Sequence, residues 1–133
     1  MIPSEYYEKR NIDFDLAVLH LEEAIGDVTG WLGYHITEDD AEKNSLAWYL
    51  GYGDESDYMY MASGNILGYA YDGKQLKYDI DTQKSSSGSP IFMEYDNSSN
   101  RFVGINISEG LFYNYAVRLT FDNLPFIQDY YGK

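Results

Sequence analysis

The sequence predicts an all-β fold, an antiparallel barrel closed over one core. Three observations carry that reading. Runs of strand length rich in Tyr, Val, Ile and Phe recur along the chain, and such side chains fit a pleated, half-buried surface. Gly, Asp and Asn punctuate the runs at short spacing, which suits the tight turns of antiparallel pairing rather than long parallel crossovers. The helical pattern of apolar residues falls at the carboxy-terminal end. With 133 residues and no internal repeat, low-complexity tract or flexible linker, the chain has the material of one domain.

The elements follow in order. Residues 14–21 read as a strand, with Phe14, Leu16, Val18 and His20 on one face and Asp15, Ala17, Leu19 and Leu21 on the other. The run is nearly continuous in apolar residues, so burial is expected on both faces. After Glu22 and Glu23, a connection through Gly26 and Gly30 leads to a strand at residues 31–36. Thr37, Glu38, Asp39, Asp40, Ala41 and Glu42 form an acidic run, expected as a solvated loop. Strands are predicted at residues 45–52, 58–71 and 75–80, the second interrupted around Gly64 and Asn65. Residues 90–95 and 101–108 flank Asp96-Asn97-Ser98-Ser99-Asn100, a turn-rich connection that predicts a β-hairpin. One more strand fits residues 113–120. In residues 123–131, Asn123 is a cap candidate, Pro125 lies near the first turn and apolar residues follow at helical spacing, which predicts a short terminal helix.

Nine Lys and Arg against 22 Asp and Glu give a net charge of −13. So acidic a chain repels nucleic acid and anionic membrane surfaces, and neither is an expected partner. No apolar run approaches the ~18 residues that a helix needs to span a bilayer. The first ten residues have neither the basic start nor the apolar core of a signal peptide. Without Cys there is no disulfide framework and no thiolate metal site. The two histidines, His20 and His35, and the scattered carboxylates offer no metal-ligand spacing, and no cofactor is implied.

Residues 78–92 carry the most chemistry, centred on Ser85-Ser86-Ser87-Gly88-Ser89-Pro90 between two strand-like runs. A serine nucleophile needs a backbone bent sharply enough to present its hydroxyl, a glycine behind it to clear space, and amides aimed at the oxyanion it creates. Ser87, followed by Gly88, is read as that nucleophile. The competing reading is a flexible serine-rich connection. Taken with Asp15-Leu16-Ala17-Val18-Leu19 far upstream, the turn resembles that of the trypsin-like, chymotrypsin-fold serine endopeptidases, and most closely their glutamyl-endopeptidase branch.

The resemblance implies a trypsin-like second barrel with a short C-terminal helix at residues 23–133. Residues 1–22 would be the remnant of a first barrel that is otherwise largely absent, so the chain is expected to be a fragment or a truncated form. It maps the catalytic aspartate to Asp15 and the nucleophile to Ser87. The family's general base comes from a Thr-Ala-Xaa-His element before the aspartate, and none of the 14 residues preceding Asp15 is a histidine. His20 lies too far along its strand to reach Asp15, and no serine or carboxylate pattern surrounds His35. The oxyanion hole is expected from backbone amides of Ser85, Ser86 and Ser87. Ser85 stands where the family has glycine, and serine adopts positive φ less readily, so the hole is either distorted or formed when ligand binds.

The same resemblance places Asp81 and Thr82 at the base and wall of the primary specificity pocket. Asn106 would lie on its other side, where glutamyl endopeptidases carry a histidine that binds the substrate carboxylate. Asp81, with Glu109 near the mouth, weighs towards basic or neutral substrate side chains. The implied function is peptide-bond hydrolysis through an acyl-enzyme; the alternative is a non-catalytic, protease-like module that binds peptides or inhibitors. The implied partners are a peptide or protein substrate and a missing N-terminal barrel segment, and the full-length form is expected to be extracellular or secretory. Of two glycosylation sequons, Asn97-Ser98-Ser99 should lie on a turn and Asn106-Ile107-Ser108 should be buried.

Overall fold

Six runs of alternating side chains turn one face inward and close on themselves. The computed structural model describes residues 1–36, 41–54, 57–96 and 99–129. A short helix, α1 (Ser4–Lys9), a 3-10 turn at Ile12–Phe14 and a single helical turn, α2 (Gly26–Thr29), precede the sheet. The strands are β1 (Gly33–Tyr34), β2 (Leu46–Gly51), β3 (Tyr60–Ala70), β4 (Gln75–Tyr78), β5 (Pro90–Tyr95), β6 (Ser99–Glu109) and β7 (Asn114–Arg118), followed by the terminal helix α3 (Leu124–Gln128). Two antiparallel meanders, β2-β3-β4 and β5-β6-β7, join along β2–β5 and β4–β7, which closes a six-stranded barrel. The two-residue β1 pairs in parallel with β6.

The period of two that marks a half-buried strand is plainest in β2, where Ala47, Tyr49 and Gly51 are buried and Leu46, Trp48 and Leu50 are not. Ile66, Leu76, Tyr78, Ile91, Val103 and Ala116 join them from the other strands, with Ile80 just beyond β4. Each large side chain removed from water stabilises the fold by roughly 1.5–3 kcal/mol. Bulges between Ile66 and Gly68, Ile91 and Phe92, and Asn106 and Ser108 interrupt the registers. They supply the local bending that barrel closure needs.

Several expectations are corrected. Residues 14–21 are not a strand: after the 3-10 turn they run irregularly, with Leu16 buried but Leu19 81% exposed and His20 and Leu21 also exposed. An extended run needs a neighbour for its amides and carbonyls. Among the described residues, the backbone partner from outside the local turn is Met1: its N donates to the Val18 carbonyl (2.6 Å) and its carbonyl accepts from the Val18 amide (2.9 Å). The strand at 31–36 is reduced to β1. β3 runs unbroken through Gly64 and Asn65. Gly64 serves a close approach instead, since a Cβ there would lie 3.0 Å from the Ile80 amide nitrogen.

Glu42, expected in a solvated loop, is 1% exposed. Arg118 explains why. Its Nη2 lies 2.8 Å from Glu42 Oε2 and its Nε donates to Oε1 at 3.2 Å, while the Tyr69 hydroxyl donates to Oε2 at 2.7 Å. The guanidinium also sits 4.5 Å from the centre of the Tyr69 ring. A buried carboxylate persists only when paired and hydrogen-bonded in this way. Thr37, Glu38, Asp39 and Asp40 of the acidic run lie outside the described residues, as do Asn97 and Ser98 of the first sequon and Tyr130 and Tyr131 of the predicted helix. Asn123 does not cap α3 with its side chain. It accepts from the Thr120 amide and donates to the Arg118 carbonyl, tying the helix start to β7. Glu42→Ala is expected to lower stability by about 3–5 kcal/mol by stranding the Arg118 charge, read as a fall in the urea midpoint at unchanged slope.

Candidate active site

Tyr78 ends β4, Pro90 begins β5, and Asn106 and Asn114 lie towards the end of β6 and at the start of β7, so these residues meet at one end of the barrel. The connection of residues 79–89, which links the two meanders, crosses that end. Within it the backbone folds tightly. The Ser86 amide donates to the Gln83 carbonyl and the Ser89 amide to the Ser86 carbonyl, both at 3.2 Å. Ser85 takes φ +65° and Gly88 φ +94°. For a serine the left-handed conformation costs about 1–2 kcal/mol, which the surrounding bonds must hold.

β6 supplies those bonds. The Gly88 amide donates to the Asn106 carbonyl and the Asn106 amide to the Ser89 carbonyl, each at 2.8 Å. The Asn106 side chain, 4% exposed, donates through Nδ2 to the carbonyl and the hydroxyl of the buried Ser86. Its Oδ1 accepts from the Tyr78 hydroxyl at 2.5 Å. Ser87 is left exposed on top, its hydroxyl donating to the Ile107 carbonyl at 3.3 Å. Among the described residues, neither the Ser85 nor the Ser87 amide donates to a backbone carbonyl, whereas the Ser86 amide is committed to Gln83. Of the three amides expected at an oxyanion hole, that of Ser86 is thus committed to a backbone carbonyl.

A cleft of about 500 Å³ opens beside Ser87, and Asp15 lines it together with Gly88, Asn106 and Ile107. The fold thus brings Asp15 and Ser87 to one cavity. Asp15 ends the 3-10 turn at Ile12–Phe14 and forms no salt bridge among the described residues. Ile2 and Tyr6, from the segment around α1, line the same cleft. Neither histidine does. His20 is exposed, and His35 lies against the Tyr95 ring, 4.1 Å between centroids, in a separate cavity of about 270 Å³. Asp81 is exposed and Thr82 is buried with its hydroxyl accepting from Asn114 at 2.9 Å; neither lines the cleft. Among the described residues no three His, Cys, Asp or Glu side chains gather where a metal could bind.

Sequence reasoning missed two supporting residues, Tyr78 and Asn114. Tyr78 falls two positions after the inward-facing Leu76, so its burial was readable, but its partner is 28 residues away. Burial, and then the neighbouring Tyr49, push the Tyr78 phenol well above its usual 10.0, and burial with the Glu42 carboxylate does the same to Tyr69. The folded state therefore keeps both protons where the unfolded chain releases them, so this contribution is complete below about pH 10 and is lost as pH rises beyond it. Absorbance titration of the phenolates should show Tyr69 and Tyr78 ionising only with unfolding. Tyr78→Phe and Asn106→Leu should each cost about 1–3 kcal/mol by leaving a buried polar partner unsatisfied, and the double variant less than their sum, measured by denaturant titration.

No family model matches the chain. It is 25% identical over 121 residues to an extracellular metalloprotease of Bacillus subtilis (strain 168), a match that takes in 91% of this chain and 39% of that protein. Among solved structures, a Glu endopeptidase in complex with MPD is similar with a TM-score of 0.83 at 20% identity, over 99% of this chain and 61% of that one. A mutant of the tobacco etch virus protease is similar with a TM-score of 0.55 at 15% identity, over 77% of this chain and 44% of that one. The chain spans less than two thirds of the length of each. It has the trypsin-like barrel fold found in the Glu endopeptidase, closed by six antiparallel strands and followed by a short helix.

Proposed function

We propose that the chain is the nucleophile-bearing part of a serine endopeptidase. Ser87 attacks the scissile carbonyl, the Ser85 and Ser87 amides hold the oxyanion, and Asp15 orients a histidine carried outside these 133 residues. The observation that carries this reading is the shared cleft of Asp15 and Ser87. The histidine takes the Ser87 proton as the acyl-enzyme forms and returns it to the leaving amine; water then releases the acid by the same route. The proposed substrates are peptides or proteins. Asn106 lines the cleft and backs the substrate side chain there, whereas Thr82 and the exposed Asp81 lie outside it, so the Asp81 charge acts from a distance and weighs only weakly towards basic or neutral residues. The extracellular setting follows the name of the Bacillus subtilis relative. That relative is also called a metalloprotease, but what supports serine chemistry here is the residue set, a built serine turn beside a carboxylate.

The cleft's lack of an imidazole favours a second reading, a non-catalytic module that binds peptides or inhibitors in the remnant cleft. One reagent separates the two. A fluorophosphonate probe, in buffer containing free imidazole, should modify Ser87 as seen by peptide mass mapping, with none on Ser87→Ala. No modification at any imidazole concentration would leave the binding reading in its place. In the presence of the histidine-bearing segment, Asp15→Asn should lower turnover by about 10⁴-fold.

A further inference from the structure

The outward face of the barrel carries an aromatic groove. Across β2 and β5, Trp48 stands directly opposite Phe92, and across β5 and β6, Glu94 stands opposite Asn100. With Met61 from β3, these side chains line a cavity of about 350 Å³, within the roughly 300–1,000 Å³ of sites that enclose small ligands. It shares no lining residue with the Ser87 cleft. We propose that the groove docks the arginine side chain of a peptide or protein partner, independently of any chemistry at Ser87.

Each wall suits a guanidinium. Indole is the best aromatic partner for a cation, and this one is left open. Trp48 and Phe92 are nearly parallel, with 20° between planes and 6.1 Å between centroids. Rings in full face-to-face contact lie about 3.5–4 Å apart, so these two are slipped past one another and neither covers the other. Ser63, directly across from Trp48 on β3, is exposed and too small to cover the ring. Glu94 is exposed and forms no salt bridge among the described residues, which leaves its carboxylate to accept the paired N–H groups of an arginine. Arg101, next in sequence to Asn100, does not fill the place. It stands opposite Met93, which packs against the core, and its guanidinium lies against Gly33. Met61, 62% exposed, adds an adaptable thioether for the methylene stem of the guest.

Charge decides the sign of that guest. A net charge of −13 draws cations towards the surface, and an anionic ligand would meet Glu94. Arginine fits better than lysine, because its flat guanidinium stacks on an aromatic face while its fork pairs with a carboxylate, whereas an ammonium is a strongly hydrated point charge.

The test is an NMR titration of the full chain, as Ser87→Ala to prevent turnover, with a capped pentapeptide of one arginine among glycines. Its controls replace the arginine by lysine, or by citrulline, which keeps the planar group and loses the charge. The indole N–H resonance of Trp48, identified as the one that remains in Trp31→Phe, should shift saturably with the arginine peptide. Affinity should fall about tenfold for citrulline, with lysine between the two, and about three- to fivefold for Glu94→Gln, an exposed substitution that leaves the core untouched. Lysine or citrulline binding as tightly as arginine, no shift at Trp48, or a shift unaltered by Glu94→Gln each overturn the proposal. A Trp48 shift brought about by chitin oligosaccharides and not by the arginine peptide overturns it too, and gives the groove to a sugar. Fluorophosphonate labelling of Ser87 in the unsubstituted chain tests the nucleophile separately and is indifferent to all of these outcomes.

Discussion

The buried amide of Asn106 is the interaction on which the candidate site depends. Its side chain joins Tyr78, on the inward face of β4, to Ser86 beneath the turn, while its backbone bonds to Gly88 and Ser89 on the far side of Ser87. A buried amide that lost these partners would cost more than the bonds gain, so the arrangement is held as a unit. The exposure of Ser87 follows. With Ser86 drawn inward and Gly88 bonded to β6, the residue between them has nowhere to go but out. The bulge between Asn106 and Ser108 sets the Ile107 carbonyl against the Ser87 hydroxyl.

The opposite end of the barrel is closed by a different kind of contact. Arg118, ending β7, and Glu42, just before β2, form a two-point ion pair covered by the Tyr69 ring. Between the two polar ends lies an apolar middle of Ile66, Leu76, Ile91, Val103 and Ala116. The segment ahead of the barrel is held more sparsely, by the buried Pro3 and Leu16 and by the pairing of Asp13 with Lys74. Val28 is 91% and Trp31 79% exposed, and α1 buries none of its residues. Few buried contacts mean a low free energy of local opening, so the walls that Ile2 and Tyr6 give the cleft are its least firmly held part.

The strands were legible because side chains on a pleated ribbon alternate. Residues 90–95 were predicted to the residue, and β2 and β4 to within one or two. The failures share a cause. An apolar run at residues 14–21 looks like a strand until its neighbours are known, and without a ladder partner it stays irregular. Gly64 was read as a break, because a glycine in sequence does not tell a turn from a place where another backbone passes close. Glu42 was read as solvated, because a carboxylate in an acidic run shows nothing of an arginine 76 residues on.

The sequence by itself determined the class of fold, most strand positions and the serine turn, all of which are local patterns of residue type. Only the tertiary structure decided that Asp15 and Ser87 line one cleft, that Asn106 is the turn's anchor, and that His20 and His35 stand apart from it. Side-chain period and turn chemistry act over a few residues and are written in order along the chain. Which distant groups share a cavity is settled by strand register and barrel closure, which a linear pattern does not specify.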